Sequence, residues 1–224
     1  MMTGNTVDLE PFSTVLRRAT AEHHDRAESA PFVGKLLDGR LGLEALAALA
    51  GQNLFVYTAL ETAAERWRAD PVAGPFVIED LDRLPALRAD LEHLIGPDWA
   101  ASVQARPTTM AYAERISGAD SAARFVAHHY TRYLGDVSGG QVIASAMRRQ
   151  HGDRAGLAFY DFGGLYAGPL RNPAEFRRHY RALLDAAPWT ATDRAAVIDE
   201  SARAFGYNRM IFDELADDLG LDAA

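Results

Sequence analysis

The chain has 224 residues, 48% of them hydrophobic and 24% charged, with a formal net charge of −8 and no cysteine. Its length suits one hydrophobic core, since single cores stop growing only near about 250 residues, and its composition is that of a chain that folds. The acidic balance disfavours nucleic acid and anionic membrane surfaces as partners. The missing thiols exclude disulfides, thiolate catalysis, iron–sulfur clusters and cysteine-ligated zinc, so any metal chemistry rests on histidine or carboxylate.

The first residues, MMTGNTVDLEPF, lack the basic start and apolar run of a signal peptide, so a cytoplasmic chain is expected, with 1–7 and 220–224 as flexible ends. Leu9, Phe12, Val15, Leu16 and Ala19 recur at helical spacing and predict a first helix from Asp8 to Ala30. Leu43 to Trp67 reads as a long central helix, rich in alanine. Its uncharged part, Ala45 to Leu60, falls short of the roughly 20 residues of a membrane span and carries Gln52 and Asn53, so it reads as a buried helix. Pro71, Gly74 and Pro75 interrupt it, and Gly96-Pro97 ends a further helix through Leu91 and Leu94.

Beyond Thr108 the pattern predicts a short helix from Met110 to Ile116 and a long one from Ser121 to about Gln150. A glycine-rich loop from Gly163 to Pro169 follows, then helices near Ala174–Ala186 and Thr192–Leu219. No segment alternates like a strand, and no repeat or linker divides the chain. The expectation is one all-α domain over residues 1–224, a compact bundle of seven or eight helices.

The stretch YTRYLGDVSGGQ places Gly135, Gly139 and Gly140 inside a helix, where each glycine costs about 1 kcal/mol relative to alanine. Such a helix should bend. Close helix packing is one reason to accept that cost; a backbone lying against a ligand is the other, and three glycines around Asp136 and Ser138 favour the ligand. No lysine and serine or threonine follow the glycines as in a phosphate loop.

Seven histidines are present, without HExxH and without a pair of ExxH motifs. A single axial histidine remains open. At about 100° per residue, His23 falls on the apolar stripe of the first helix, whereas His24 lies on a second line with Arg17, Ala21 and Glu28. A cation, a gap, an imidazole and a carboxylate in that order suit heme, with the carboxylate on the ring nitrogen that iron does not use. The same spacing also describes a solvated helix face.

Together these segments resemble the heme oxygenase family. RRATAEHHDRAESAPF is similar to the family's proximal helix, and HHYTRYLGDVSGGQ to its distal signature, with further likeness in FVYTALETAAER, GLAFYDF and AFGYNRMIFDEL. The resemblance implies His24 as axial iron ligand with Glu28 behind it, and heme b lying between this helix and a glycine-kinked distal helix. Gly135 and Gly139 would let the distal backbone approach, Asp136 would hold the water that delivers protons, and Arg132, Tyr57 and Asn208 would complete the distal polar network. Ser138 and Gly140 are expected to line the heme, Phe205 to wall it, and Arg17, Tyr130, Arg177 and Arg181 to meet the propionates. Ala21 stands where some members carry a basic residue, and the chain ends without the hydrophobic tail of membrane-bound members, which resembles the soluble bacterial type.

The activity so implied is a heme-degrading monooxygenase that takes O2 and electrons from a ferredoxin or flavoprotein donor and yields biliverdin, by analogy the alpha isomer, with Fe(II) and CO. A non-catalytic heme carrier on the same fold is the alternative. Such a carrier would need His24 and the arginines but neither Asp136 nor the glycines.

Overall fold

A computed structural model describes residues 10–221; residues 1–9, with Asp8 and Leu9 of the expected first helix, and 222–224 lie outside the described residues, as do the expected flexible ends apart from Gly220 and Leu221. Helix α1 spans Phe12–Glu28, with Pro11 before it accepting from the amides of Thr14 and Val15. Its buried face is Phe12, Ser13, Leu16, Thr20 and Ala27. Ala19, expected inside, is exposed; Thr20 takes its place by satisfying its own hydroxyl on the Leu16 carbonyl, 2.9 Å away.

A short helix α2, Pro31–Leu37, follows, with proline at its start where no amide is needed. It was not expected, because seven residues are too few to display a period. Helix α3, Leu43–Trp67, matches its expected bounds. By length and composition α3 could cross a membrane, but it carries buried Gln52 and Asn53 and packs against α4, α6 and α7 as a core helix.

Helix α4, Leu84–Ile95, ends where Gly96 takes φ +109°, and α5, Trp99–Ser102, and α6, Pro107–Ser117, lead to α7, Ala122–His129. The expected long helix then changes character. A π-helical turn occupies Tyr130–Leu134, α8 covers Gly135–Ser138, and α9 runs over Gly140–His151. The irregularity therefore begins five residues before Gly135. Gly135 and Gly139 themselves hold ordinary helical angles, φ −61° and −69°, so they serve by having no side chain rather than by an unusual backbone.

The segment read as a loop from Gly163 to Pro169 contains helix α10, Gly163–Ala167. Helices α11, Pro173–Ala186, and α12, Ala191–Asp218, close the chain; Asn172 caps the first and a Thr190–Asp193 capping box starts the second. Leu221 is tied back through its amide to Ala216, 2.9 Å. Among the described residues there is no strand.

Helix α12 lies along α1, α7 and α2, so the N-terminal helix, the distal segment and the last helix enclose one space. The loop before α10 is held from two sides. The buried Arg83 guanidinium donates to the carbonyls of Leu81, Asp80, Phe159 and Asp161 and lies 4.3 Å over the Phe162 ring, while the Asp90 carboxylate accepts the amides of Ala158 and Phe159, both at 2.8 Å. This presses Tyr160 onto the distal segment.

Candidate active site

The enclosed space is a pocket of about 380 Å³ between α1, α2, the distal segment and α12. Of the residues expected at a heme site, His24, Glu28, Arg132, Gly135, Asp136, Gly139, Gly140, Phe205 and Asn208 line it. His23 does not, although periodicity alone points to it; its side chain is half-buried beside the stripe. His24 meets Phe205 edge-on at 5.6 Å between ring centres.

Both nitrogens of His24 face a carboxylate. Nε2 is 3.4 Å from Glu28 Oε1, and Nδ1 is 3.5 Å from Asp25 Oδ1. The spacing argument foresaw Glu28 and missed Asp25. An iron at either nitrogen leaves the other with an acidic neighbour, which would raise the basicity of the ligand.

Opposite His24 stands a dense polar group. Asp136, its side chain 17% exposed, accepts a hydrogen bond from the Tyr57 hydroxyl and lies 3.5 Å from Arg132 Nη2. Burial pushes its carboxyl above the ordinary value, while Arg132 and Tyr57 pull it down. Burial works against the charge of Arg132, yet Asp136 and Tyr57 hold that guanidinium above its ordinary value. Arg132 Nη1 donates to Asn208 Oδ1 and Nη2 to Asn53 Oδ1, both at 2.8 Å. Asn53 is a further functional candidate, hidden in the sequence because an amide inside an alanine-rich helix carries no motif.

The glycines divide by role. A Cβ on Gly135 would meet nothing within 4 Å, so that face of the backbone stands open; on Gly139 it would approach Glu28 Oε1 at 3.7 Å. Gly140 lines the pocket as expected and has a second neighbour on its other side. A Cβ there would stand 2.7 Å from Cδ1 of Tyr160, so its missing side chain makes room for that ring.

Tyr57, Tyr130, Ser138, Arg17, Arg177 and Arg181 are not in the pocket lining. Tyr57 is fully buried behind Asp136. Two groups form among the others: burial raises the Tyr130 hydroxyl, with Thr20, Arg181 and Arg17 acting to lower it, and Arg177 Nη1 lies 3.5 Å from Ser138 Oγ. The apolar walls, Val33 and Leu37 of α2, Ile143 of α9 and Phe212 of α12, were not foreseen, since hydrophobic residues of core and pocket look alike in a sequence. A second groove of about 450 Å³ lies on the outer side of Tyr160 and has no imidazole.

Among the described residues no three metal-ligating side chains converge. A bare ion therefore finds no cage among them, whereas iron already held by four porphyrin nitrogens needs one imidazole, an open apolar slot and cations at the rim. The residues present fit that group.

A family model described as heme oxygenase matches residues 10–214. Heme oxygenase 1 of Gallus gallus is 34% identical over 212 residues, covering 92% of this chain and 70% of that protein, and the heme oxygenase of Rhodella violacea is 32% identical over 206 residues, covering 89% and 85%. The crystal structure of heme oxygenase-1 from the cyanobacterium Synechocystis, in complex with heme, is similar at a TM-score of 0.85 and 28% identity, covering 94% of this chain and 96% of that one. The solved structure of Leptospira interrogans heme oxygenase is similar at a TM-score of 0.83 and 30% identity, covering 91% of this chain and 99% of that one. The chain belongs to the heme oxygenase family, a class of all-helical enzymes that degrade heme oxidatively.

Proposed function

We propose that the chain acts as one domain that takes heme b as both cofactor and substrate, whose iron His24 would hold, and opens its ring to biliverdin, Fe(II) and CO. The reading rests on one observation above others: a buried carboxylate, Asp136, shares a pocket with a single imidazole and is backed by Tyr57 and Arg132. A carrier has no use for that arrangement.

Bound heme supplies the iron at which O2 is activated and the meso carbon that is attacked, the alpha position being the one the family resemblance favours. The chain's own part is fourfold. His24 supplies a neutral nitrogen ligand rather than a thiolate; Asp25 and Glu28 orient its ring. The open backbone face at Gly135, and the missing side chain at Gly139, would let the distal segment lie close to a bound porphyrin. Asp136 accepts and passes a proton through its carboxylate, whose Oδ2 is held in place by the Tyr57 hydroxyl and by Arg132, itself fixed on Asn208 and Asn53. Arg17, Tyr130, Arg177 and Arg181 receive the propionates at the rim, where an arginine can pair bidentately with a carboxylate. Electrons come from a ferredoxin or flavoprotein reductase, and the setting is the cytoplasm.

The test is reconstitution with hemin, followed by ascorbate or a reductase under air, for the wild type, His24→Ala and Asp136→Ala. Loss of the Soret band with growth of biliverdin absorbance in the wild type, abolished or diverted in Asp136→Ala, is the expected result. Heme that binds through His24 and persists under reductant and O2 would identify a carrier instead.

A further inference from the structure

His129 and Tyr180 are buried and belong to no part of the pocket lining. The Tyr180 hydroxyl and His129 Nδ1 are hydrogen-bonded at 2.9 Å, and their rings lie nearly parallel, 18° apart with centres 5.7 Å from one another. Burial pushes the His129 imidazole down to about 3 and raises the Tyr180 hydroxyl well above its ordinary value. Both groups are therefore neutral through the working pH range, and the bond does not switch.

Its position in the chain gives it a use. His129 is the last residue of α7, and the π-helical turn begins at the next residue, Tyr130. Tyr180 lies in α11, and the residue after it is Arg181. One buried bond thus joins the two backbones at the residues adjoining Tyr130 and Arg181; the Tyr130 and Tyr180 rings stand 6.4 Å apart, and the Arg181 charge acts on the Tyr130 hydroxyl. One turn further along α11, Asp185 takes the amide and hydroxyl of Ser13 on α1, at 2.7 and 3.0 Å. Among the described residues, α11 also meets the distal segment through the exposed contact of Arg177 with Ser138, 3.5 Å. A bond of neutral groups buried among the rings of Tyr133, Phe176 and Phe76 could be replaced by apolar packing at little cost in stability; what apolar packing cannot supply is a direction.

We propose that the His129–Tyr180 hydrogen bond is a positioning device that fixes Arg181 against Tyr130, and with it the place where a carboxylate of the bound porphyrin is held. The proposal rests on the heme reading above. It makes His129 and Tyr180 positioning residues, acting through Arg181 and touching no substrate.

A double-mutant cycle on hemin affinity tests it, titrating the Soret band of wild type, Tyr180→Phe, Arg181→Ala and the double variant. Tyr180→Phe keeps the ring and its packing and removes only the hydroxyl. The expected result is hemin binding weakened about fivefold by Tyr180→Phe in the wild-type background, with a change below about twofold once Arg181 is already alanine. Equal losses in both backgrounds, or no loss in either, would reduce the pair to core packing and overturn the proposal. His129→Leu carries the same expectation from the other side of the bond and stands in if Tyr180→Phe does not fold. A wild type that binds no hemin overturns the heme reading itself, whereas a wild type that binds it with additive variants overturns only the positioning role.

Discussion

The ring of Tyr160 fills the space that a side chain on Gly140 would need, its Cδ1 and Cε1 standing 2.7 and 3.1 Å from the Cβ position. The ring has little room to retreat, because its carbonyl accepts from Gln141 Nε2 at 2.7 Å and the loop behind it is held by Asp90 and Arg83. Gly140→Ala gains about 1 kcal/mol in helix propensity but overpacks a buried contact, which costs about 1–3 kcal/mol. A net loss of stability is expected, read as a lower urea midpoint. Tyr160→Leu in the same chain should recover part of it, and an unchanged midpoint for Gly140→Ala alone would mean that the loop yields.

Gly135→Ala has the opposite signature. With nothing within 4 Å of the Cβ position and a helical φ of −61°, alanine there should raise the stability of the heme-free protein by up to about 1 kcal/mol. The added methyl occupies the open face toward the pocket, so heme oxidation should slow by about tenfold or more through misplacement of the distal segment. Thermal melts and biliverdin formation measured on one preparation separate the two effects. A variant that is both more stable and fully active would show that this face has no role in the chemistry.

Legibility in the sequence followed length and periodicity. Helices α3, α11 and α12 span many turns, so their bounds could be read to within a residue or two. The seven residues of α2 and five of α10 could not. In the pocket, spacing put His23 on the apolar stripe and His24 on a second line with Glu28, and the family resemblance decided for His24; Thr20, rather than Ala19, faces the core. Asn53 and Asp25 escaped because their roles arise from contacts across helices or beside the ring, with no motif of their own. The contact of Gly140 with Tyr160 escaped as well, since a glycine that admits a ring from another segment has no mark of its own in the sequence.

Tyr57→Phe tests the proton function of Asp136 through pH rather than through loss alone. The Tyr57 hydroxyl bond is one of the influences that lower the Asp136 carboxyl, opposing the burial that raises it. Removing the hydroxyl therefore lets the carboxyl rise further. If the ionised carboxylate is the working form, the acid limb of the rate profile for hemin degradation moves to higher pH in Tyr57→Phe. A profile that falls in height but keeps its acid limb would assign Tyr57 to packing against Tyr133 and Phe159, its ring neighbours at 5.4 and 5.3 Å.

A second buried carboxylate, Glu200, governs stability instead. Its side chain, 4% exposed, is gripped by Arg115 through Nε and Nη2 at 2.5 and 2.7 Å, with His128 Nε2 3.2 Å away. Burial alone would raise its carboxyl, but His128 and Arg115 outweigh that and bring it from 4.5 to about 2. The folded state thus holds the ionised form more tightly than the unfolded chain does. This contributes stability that is complete above pH 4.5 and is lost as pH falls toward 2. A shift of that size corresponds to about 3 kcal/mol, in the range measured when one partner of a buried pair is removed. Glu200→Gln should lower the unfolding free energy by roughly that amount at pH 7, and the gap from wild type should close as denaturation is repeated below pH 4.5. A gap that stays constant with pH would mean that Glu200 acts through shape, with its charge contributing nothing to the fold.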